Sequence, residues 1–339
     1  MNKLAHYLQE HLRGEVIVSS ATLDKYARDA SIFEQQPSLI AYPMDESDVR
    51  KTARFAWQLA ERGRIIPITA RGGGSDFTGA AIGQGVVLVT PVHMNKILEF
   101  DPKSGFVVVE PGINYAKLQQ TLNTHGRFLP PFPASLEYST IGGAVANNSS
   151  GELSVKYGDT KKFVNSLRVV LANGEVIDTG RLSKRELSKK MGLSSFEGEL
   201  YRNLDTLIEE NHDLIEKFEP TWSKNVSGYD IFSVKKKDGS FDLTPLIVGS
   251  QGTLAIVSEV TLSTADYNPE TSVVVAYLHD FGNIEKIIKE VQKINPSAFE
   301  VVDKYSLEQV VKKSPNYLKG SLPTSMPELI LLIEFDDSA

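Results

Sequence analysis

The chain has 339 residues, of which 41% are hydrophobic and 23% are charged. This length predicts about two domains, and this composition excludes a largely disordered protein. The net charge is −7, and the short basic run Lys235–Lys237 is typical of a solvated loop, so nucleic-acid binding is not expected. The chain has no cysteine, which excludes disulfides, thiolate metal sites and cysteine nucleophiles.

Neither a signal peptide nor a transmembrane segment is predicted. Met1–Glu10 lacks the apolar stretch of a signal peptide. Apolar runs such as Leu329–Phe335 are far shorter than the ~18 residues of a membrane helix. We therefore expect a soluble, cytoplasmic protein, and peripheral contact with a membrane stays open.

Strand and helix signals alternate along the first half of the chain. Ser47–Gly63 predicts an amphipathic helix that ends near Gly63, and Arg64–Ala70 predicts a strand that runs into a glycine cluster. Further predicted features are strands over Gly85–Thr90 and Phe106–Glu110, a helix from Asn114 to Thr124, and a hairpin that joins Leu167–Ala172 to Glu175–Asp178 through Asn173-Gly174.

The second half begins with a predicted helix over Glu199–Ile215 and a strand-rich segment over Leu246–Thr264. A separate C-terminal unit follows, with strand Ser272–Leu278, helix Asn283–Asn295, strand Ala298–Val302, a short helix and strand Glu328–Phe335. The chain ends at Ala339, and nothing downstream of the last strand remains to pair with it. We therefore expect these residues to be a fragment of a longer protein.

The segment Thr69–Gly79 carries three successive glycines directly after a predicted strand. Glycines let the backbone approach a ligand closely and point successive N–H groups at an anion. The segment is not a P-loop, because no lysine occurs between Lys51 and Lys96. It is not a Rossmann fingerprint either, because Phe77 stands where Gly72 would require a glycine. It predicts an anion-binding loop of another kind, with a plain turn as the alternative.

Two later segments also combine glycines with small or polar residues. Pro130–Ser135 leads into Thr140–Gly151, where paired glycines precede a cluster of Asn and Ser that suits a flat ligand with polar edges. Gly249–Val257 places two glycines before an apolar strand. Taken singly, the segment from Pro130 to Gly151 is also explained by a tightly packed turn, and Gly249–Val257 is also explained by a β-bulge.

In chain order, these segments resemble the FAD-linked oxidase family of the vanillyl-alcohol oxidase/p-cresol methylhydroxylase superfamily, on the branch of D-lactate, glycolate and D-2-hydroxyglutarate dehydrogenases. The resemblance extends from Tyr26 to Thr264 and includes shorter motifs at Tyr26–Ser31, Met94-Asn95, Leu98–Asp101, Glu110-Pro111-Gly112, Lys156-Tyr157-Gly158 and Lys224–Tyr229. It implies an α+β fold, in which a two-subdomain FAD-binding domain of the p-cresol methylhydroxylase type is followed by the beginning of an α+β substrate cap. The implied bounds are 1–264 for the FAD-binding domain, divided at about residue 90, and 265–339 for a partial, truncated cap.

The cofactor that the resemblance implies is FAD, with the loop from Ala70 to Asp76 holding its pyrophosphate by backbone N–H groups. The implied FAD-binding residues are Ala70, Arg71, Gly72, Gly73, Gly74, Ser75, Asp76, Pro133, Ala134, Ser135, Ser139, Thr140, Gly142, Gly143, Asn147, Ser149, Ser150, Gly252, Thr253, Ile256 and Val257. Lys224 and Tyr229 are candidates for contact with the substrate.

The chain departs from the family pattern at three positions. Ser75 stands where covalently tethered relatives place histidine, so the resemblance implies noncovalent FAD. Gln251 and Ala255 stand where the family usually has Glu and Gly, and neither change removes a backbone contact.

The sequence identifies no catalytic residue. The six histidines are scattered, and no pair has the spacing of metal ligands on a helix, so we expect surface or packing roles and no metal site. They are His6, His11, His93, His125, His212 and His279. The histidine-rich segment that the family uses to bind a metal or to take the hydroxyl proton has no counterpart in this chain.

The implied function is oxidation of a small 2-hydroxy acid, of the D-lactate or glycolate type, by hydride transfer to flavin N5. A separate electron acceptor would reoxidise the flavin; a quinone, a cytochrome and an electron-transfer flavoprotein all stay open. One alternative is a same-fold oxidase that acts on a sugar-type or glycerol-phosphate-type substrate. Another is a flavin-binding subunit of a larger oxidoreductase complex with no activity alone.

Overall fold

The computed structural model describes residues 3–222 and 224–336. The helices are α1 (Lys3–His11), α2 (Ser20–Tyr26), α3 (Glu46–Ala60), α4 (Tyr115–Asn123), α5 (Ile141–Asn147), α6 (Ser154–Tyr157), α7 (Lys184–Met191), α8 (Phe196–Glu210), α9 (His212–Phe218), α10 (Thr244–Ile247), α11 (Ile284–Lys293) and α12 (Lys304–Lys313). The strands are β1 (Glu15–Ile17), β2 (Leu39–Tyr42), β3 (Ile68–Arg71), β4 (Val86–Val89), β5 (Ile97–Asp101), β6 (Phe106–Val109), β7 (Arg127–Phe128), β8 (Val164–Val170), β9 (Val176–Asp178), β10 (Ile256–Ser263), β11 (Ala265–Asp266), β12 (Ser272–Leu278), β13 (Ala298–Asp303) and β14 (Leu329–Phe335).

The first unit is a four-stranded sheet with strand order β1-β2-β4-β3. β2, β4 and β3 run parallel, and β1 is antiparallel to β2. Parallel neighbours need a crossover connection, and α3 lies in the connection between β2 and β3. Asp45 begins α3 by accepting a hydrogen bond from the Asp48 N–H, and the helix buries Val49 and Ala53. The helix predicted over Ser47–Gly63 is confirmed, with a shorter C-terminal end.

The second unit is a five-stranded antiparallel sheet with strand order β5-β6-β10-β8-β9. Its central strand, β10, alternates buried and half-buried residues, so one face lies on the core. The predicted hairpin through Asn173-Gly174 is confirmed: Gly174 has φ +80°, and the Leu171 N–H donates to the Glu175 carbonyl at 2.8 Å.

The two units pack directly on each other. Val170 and Ile256 of the second sheet lie in the apolar cluster formed by the first unit. Glu46 Oε2, at the start of α3, accepts hydrogen bonds from Arg168 Nε and Ser258 Oγ, both at 2.8 Å. These contacts bring the loops that follow β3 and β4 to the same cavity as α5 and β10.

The C-terminal sheet has the strand order β12-β14-β13, and all its pairings are antiparallel. The three strands predicted there are confirmed. The expectation that the last strand has no neighbour is wrong, because α11 and α12 return the chain so that β14 enters between β12 and β13. Within the described residues, no helix combines the length and the hydropathy needed to cross a membrane.

Two other predictions about single elements are wrong. The helix predicted over Glu199–Ile215 is two helices, α8 and α9, separated at Asn211. The Asn211 side chain donates to the Leu207 carbonyl at 2.8 Å and so competes with the continuing helical hydrogen bonds. In the strand-rich segment Leu246–Thr264, the strand begins only at Ile256, after a turn.

Candidate functional site

A cavity of about 730 Å³ is bordered by both units. This volume lies within the range of ~300–1,000 Å³ that is typical of ligand and cofactor pockets. Its wall joins the glycine loop after β3, the segment from Pro133 to Ser149 and the turn before β10, three segments that are far apart in the chain. The predicted residues in the wall are Ala70, Arg71, Gly72, Gly73, Gly74, Ser75, Asp76, Pro133, Ala134, Ser135, Ser139, Thr140, Gly142, Gly143, Asn147, Ser149, Gly252 and Val257.

Asp76 holds the end of the glycine loop in shape. Its Oδ2 accepts hydrogen bonds from the N–H groups of Thr78 at 2.8 Å and Ala80 at 2.9 Å, and its Oδ1 accepts one from Asn147 Nδ2 at 3.2 Å. Burial raises the pKa of Asp76, but these hydrogen bonds outweigh burial and leave the pKa below its usual value. The carboxylate therefore ties the loop to α5 on the other side of the cavity.

Arg71 is a buried cation at the base of the loop, with only 8% of its surface exposed. Its Nη1 donates to the carbonyls of Tyr26 at 3.3 Å and Ala81 at 3.2 Å, and the guanidinium lies 5.1 Å from the centre of the Tyr26 ring. Its Nε has no hydrogen-bond partner, and Arg71 forms no ion pair with a described residue. Burial lowers its pKa, because charge is costly in an apolar surrounding. An anion in the cavity would offset that cost, which fits a phosphate-bearing ligand.

Three serine hydroxyls form a chain in the wall. Ser139 Oγ lies 3.0 Å from Ser75 Oγ and 2.8 Å from Ser135 Oγ. Next to them, Thr140 begins α5, and its hydroxyl accepts a hydrogen bond from the Gly143 N–H at 3.3 Å. The wall therefore offers hydroxyl groups beside the glycine loop, as a polar ligand requires.

The glycines of the wall differ in what surrounds them. A Cβ on Gly73 would lie 1.9 Å from the Tyr138 carbonyl oxygen, and one on Gly72 would lie 2.1 Å from Thr140 Oγ1. The packing of the protein itself therefore requires these two glycines. A Cβ on Gly143 would meet only Thr140 Oγ1, at the ordinary distance of 3.4 Å. Gly143 therefore leaves open space in the cavity that a ligand can enter.

The turn before β10 closes another side of the cavity. The N–H groups of Gly249 and Gln251 donate to the carbonyls of Val145 and Ala146 in α5, both at 2.9 Å. Gln251 and Ala255 both lie in the wall, so the two departures from the family pattern do not open it. Val257 faces the cavity while Ile256 packs into the core of the first unit, as the alternation of a strand requires.

Some predicted residues lie outside the wall: Ser150, Thr253, Ile256, Lys224 and Tyr229. Four of them form two pairs beside it. Lys224 Nζ donates to Ser150 Oγ at 2.5 Å, and the hydroxyls of Tyr229 and Thr253 are 2.8 Å apart. The substrate candidates are thus held next to the cavity, each by a residue predicted for the cofactor.

Other wall residues were not predicted. They are Phe77, Thr78, Ala80, Ala81, Thr90, Pro111, Tyr138, Ala144, Ala146, Val226, Ile247, Ser250, Gln251 and Ala255. A signal was present for nine of them, which lie in motifs or segments that the sequence singles out: Phe77, Thr78, Pro111, Ala144, Ala146, Val226, Ser250, Gln251 and Ala255. The remaining small and apolar members look like core residues in sequence.

The histidines lie elsewhere. His93 Nε2 is 2.7 Å from Glu15 Oε2, and His11 Nδ1 is 2.7 Å from the Tyr7 carbonyl. The described wall contains neither histidine nor cysteine. Over residues 3–222 and 224–336, no group of three or more His, Asp or Glu side chains is arranged to hold a metal ion.

Comparison with known proteins shows which proteins the chain is similar to. Residues 37–180 match the family described as "FAD binding domain". The chain is 33% identical over 264 residues to D-2-hydroxyglutarate dehydrogenase of Escherichia coli (strain K12), covering 77% of this chain and 26% of that protein. It is 30% identical over 318 residues to the glycolate oxidase subunit GlcD of Bacillus subtilis (strain 168), covering 92% and 54%. Residues 37–180 of the chain therefore belong to this FAD-binding domain family.

A solved structure supports the fold of this domain. Alkyldihydroxyacetonephosphate synthase superposes with a TM-score of 0.68 at 19% identity, covering 99% of this chain and 56% of that one. The α+β fold of the p-cresol methylhydroxylase type is thus confirmed, and FAD is the cofactor of this domain. The chain spans 26% of the length of the E. coli relative and 54% of the B. subtilis relative.

Proposed function

We propose that this chain binds FAD noncovalently in the cavity and is the flavin-binding part of an oxidoreductase that oxidises a small 2-hydroxy acid. The observation that carries this proposal is the single wall in which the three predicted glycine-bearing segments meet. The names of the two relatives support the substrate class, because each refers to a 2-hydroxy acid.

The residues present fit FAD. The backbone of the glycine loop and the buried charge of Arg71 would hold its diphosphate, and the hydroxyls of Ser75, Ser135 and Ser139 would bind its polar chain. Ala255 and Val257 offer apolar surface for a ring. When bound, FAD supplies the acceptor for the hydride of the alcohol carbon. Lys224, at the edge of the wall, is proposed to pair with the substrate carboxylate.

A second candidate function is a flavin-binding subunit with no activity alone. The charged side chains of the described wall are Arg71 and Asp76. Asp76 already accepts hydrogen bonds from Thr78, Ala80 and Asn147, so neither residue is suited to take a proton from a hydroxyl group. The domain bounds 1–264 and 265–339, the electron acceptor and the cytoplasmic location stay predictions.

Release of the cofactor tests the noncovalent site. Acid precipitation of the purified protein should leave a yellow supernatant that contains FAD, because Ser75 offers no imidazole for a covalent link. Flavin that stays in the pellet would contradict noncovalent binding. A supernatant that contains FMN would contradict the choice of cofactor.

Anaerobic mixing of the full-length protein with D-lactate, glycolate and D-2-hydroxyglutarate separates the candidate functions. Bleaching of the flavin absorbance by one of these, and not by L-lactate or L-2-hydroxyglutarate, is expected. Bound FAD that none of them bleaches would favour the subunit, unless a sugar-type or glycerol-phosphate-type alcohol bleaches it. That result would favour the same-fold alternative.

A further inference from the structure

The motif Lys156-Tyr157-Gly158 belongs to the resemblance described above, yet neither Lys156 nor Tyr157 lies in the cavity wall. Both stand on α6, and both reach the C-terminal sheet. Lys156 Nζ lies 2.6 Å from Asp336 Oδ1, and the Tyr157 hydroxyl donates to Asp336 Oδ2 at 2.6 Å. One carboxylate directly after β14 is therefore held by two adjacent residues of the motif.

This contact is largely removed from water. The side chains of Lys156 and Asp336 are only 14% and 10% exposed. Asn268, in the connection between β11 and β12, donates to the Asp336 carbonyl at 2.7 Å. Exposed ion pairs contribute little to stability, whereas removing one partner of a buried, hydrogen-bonded pair is costly. The Asp336 contact is of the second kind.

Aromatic packing supports the same contact from the side of β7 and β11, which pair with each other. The Tyr157 ring meets the Phe128 ring edge-on, with 5.5 Å between the ring centres, and Phe128 in turn lies 5.9 Å from Tyr267. Tyr267 directly follows β11, so the connection that leads to the C-terminal sheet packs on Phe128, which in turn packs on the tyrosine that binds Asp336.

The loop that carries the motif is closed at its base, where it forms part of the cavity wall. The N–H and the hydroxyl of Thr160 both donate to the Ser149 carbonyl, at 3.0 and 2.7 Å. Asn148 Nδ2 donates to Asp159 Oδ2 at 2.8 Å, and Asn148 Oδ1 accepts from the Lys161 N–H at 2.8 Å. Ser149 lines the cavity. Residues 148–161 therefore connect the cavity wall to Asp336 through hydrogen-bonded contacts.

We propose that Lys156 and Tyr157 are positioning residues, which dock the C-terminal sheet on the FAD-binding domain through Asp336, and that the closed loop 148–161 couples this docking to occupancy of the cavity. The coupling rests on the proposed FAD site; the docking does not. Coupling between two binding events is reciprocal. The factor by which FAD favours docking must therefore equal the factor by which loss of docking weakens FAD binding.

Hydrogen–deuterium exchange of α6 and of the end of β14, with and without FAD, tests both parts. Without FAD, Lys156→Met, Tyr157→Phe and Asp336→Asn should each raise exchange in both segments. In the wild type, FAD should lower this exchange about fivefold or more, the smaller end of typical couplings. The undocked variants should lose FAD affinity by that same factor.

Lys304→Met is the control for loss of a lysine ion pair away from the docking contact. Its ion pair with Glu328 is also 2.6 Å long, but both partners belong to the C-terminal unit. This variant should leave exchange in α6 and FAD affinity as in the wild type, and circular dichroism checks that every variant is folded.

Wild-type exchange of α6 and β14 in all three docking variants would overturn the docking. An FAD effect that is absent in the wild type, or unchanged in those variants, would overturn the coupling. Absence of FAD binding by the wild type would refute the proposed cofactor site and with it the coupling, while the measurements without FAD would still decide the docking.

Discussion

The glycine loop after β3 and the helix α5 border the same cavity, but their glycines serve different purposes. In the loop, a Cβ on Gly73 would overlap the Tyr138 carbonyl, and Gly74, with φ +73°, lies against the Arg71 guanidinium. In the helix, Gly143 has open space in front of it. A glycine-rich segment is therefore not in itself a mark of ligand contact. The loop glycines are required by packing against other parts of the protein, whereas Gly143 leaves room for a ligand.

The largest effect is expected for Gly73→Ala, which tests the loop side of this comparison. A Cβ 1.9 Å from the Tyr138 carbonyl oxygen cannot be accommodated without moving the backbone. We expect the ligand-free protein to lose ~3 kcal/mol or more of stability, the range of severe core substitutions, and FAD binding to fall with it. Thermal or urea unfolding without FAD measures the stability, and an unchanged midpoint would show that the loop can shift freely.

The elements that the sequence predicts well are those with local causes. The hairpin at Asn173-Gly174 depends on the left-handed backbone of Gly174 and on the Asn173 side chain, which accepts a hydrogen bond from the Glu175 N–H at 2.9 Å. Helix α3 depends on its cap and apolar stripe. The central position of β14 was not predictable in this way, because it is decided by pairing with strands far away in the chain.

The residues of the site likewise divide into those with a local sequence signal and those without one. The backbone segments of the wall were found from their glycines, their small polar residues and the resemblance. Ile247 was not found, because an apolar residue that faces a cavity has the same sequence signature as one in the core. Ile256 and Val257 were both predicted to bind the cofactor, but successive residues of a strand point to opposite faces, so Val257 lines the wall and Ile256 packs into the core of the first unit.

An intermediate effect is expected for Arg71→Gln, which tests whether the loop contributes charge as well as shape. Hydrogen bonds and contacts to a charged group are worth ~1.5–3 kcal/mol, so FAD affinity should fall about 10- to 100-fold. Riboflavin, which has no phosphate, should bind both proteins with similar affinity. Titration of the ligand-free proteins with each flavin, followed by fluorescence, gives both affinities.

Arg71→Lys serves as the control, because it keeps the positive charge while losing the planar donor group. It should recover part of the preference for FAD over riboflavin. An equal loss of both flavins in Arg71→Gln would mean that Arg71 only braces the carbonyls of Tyr26 and Ala81.

The smallest effect on the protein itself, and the sharpest contrast with Gly73, is expected for Gly143→Ala. The new Cβ meets no protein atom closer than 3.4 Å and stands within a helix, where alanine is favoured over glycine by up to ~1 kcal/mol. The ligand-free protein should therefore be unchanged or slightly more stable, whereas FAD affinity should fall about tenfold, or ~1.4 kcal/mol, because the methyl group occupies space in the cavity. Unfolding without FAD and titration with FAD measure the two effects separately, and the double variant Arg71→Gln/Gly143→Ala shows whether they are independent. Full FAD affinity in Gly143→Ala would mean that the ligand does not approach α5 at this point, and that the space beside Gly143 serves no part of binding.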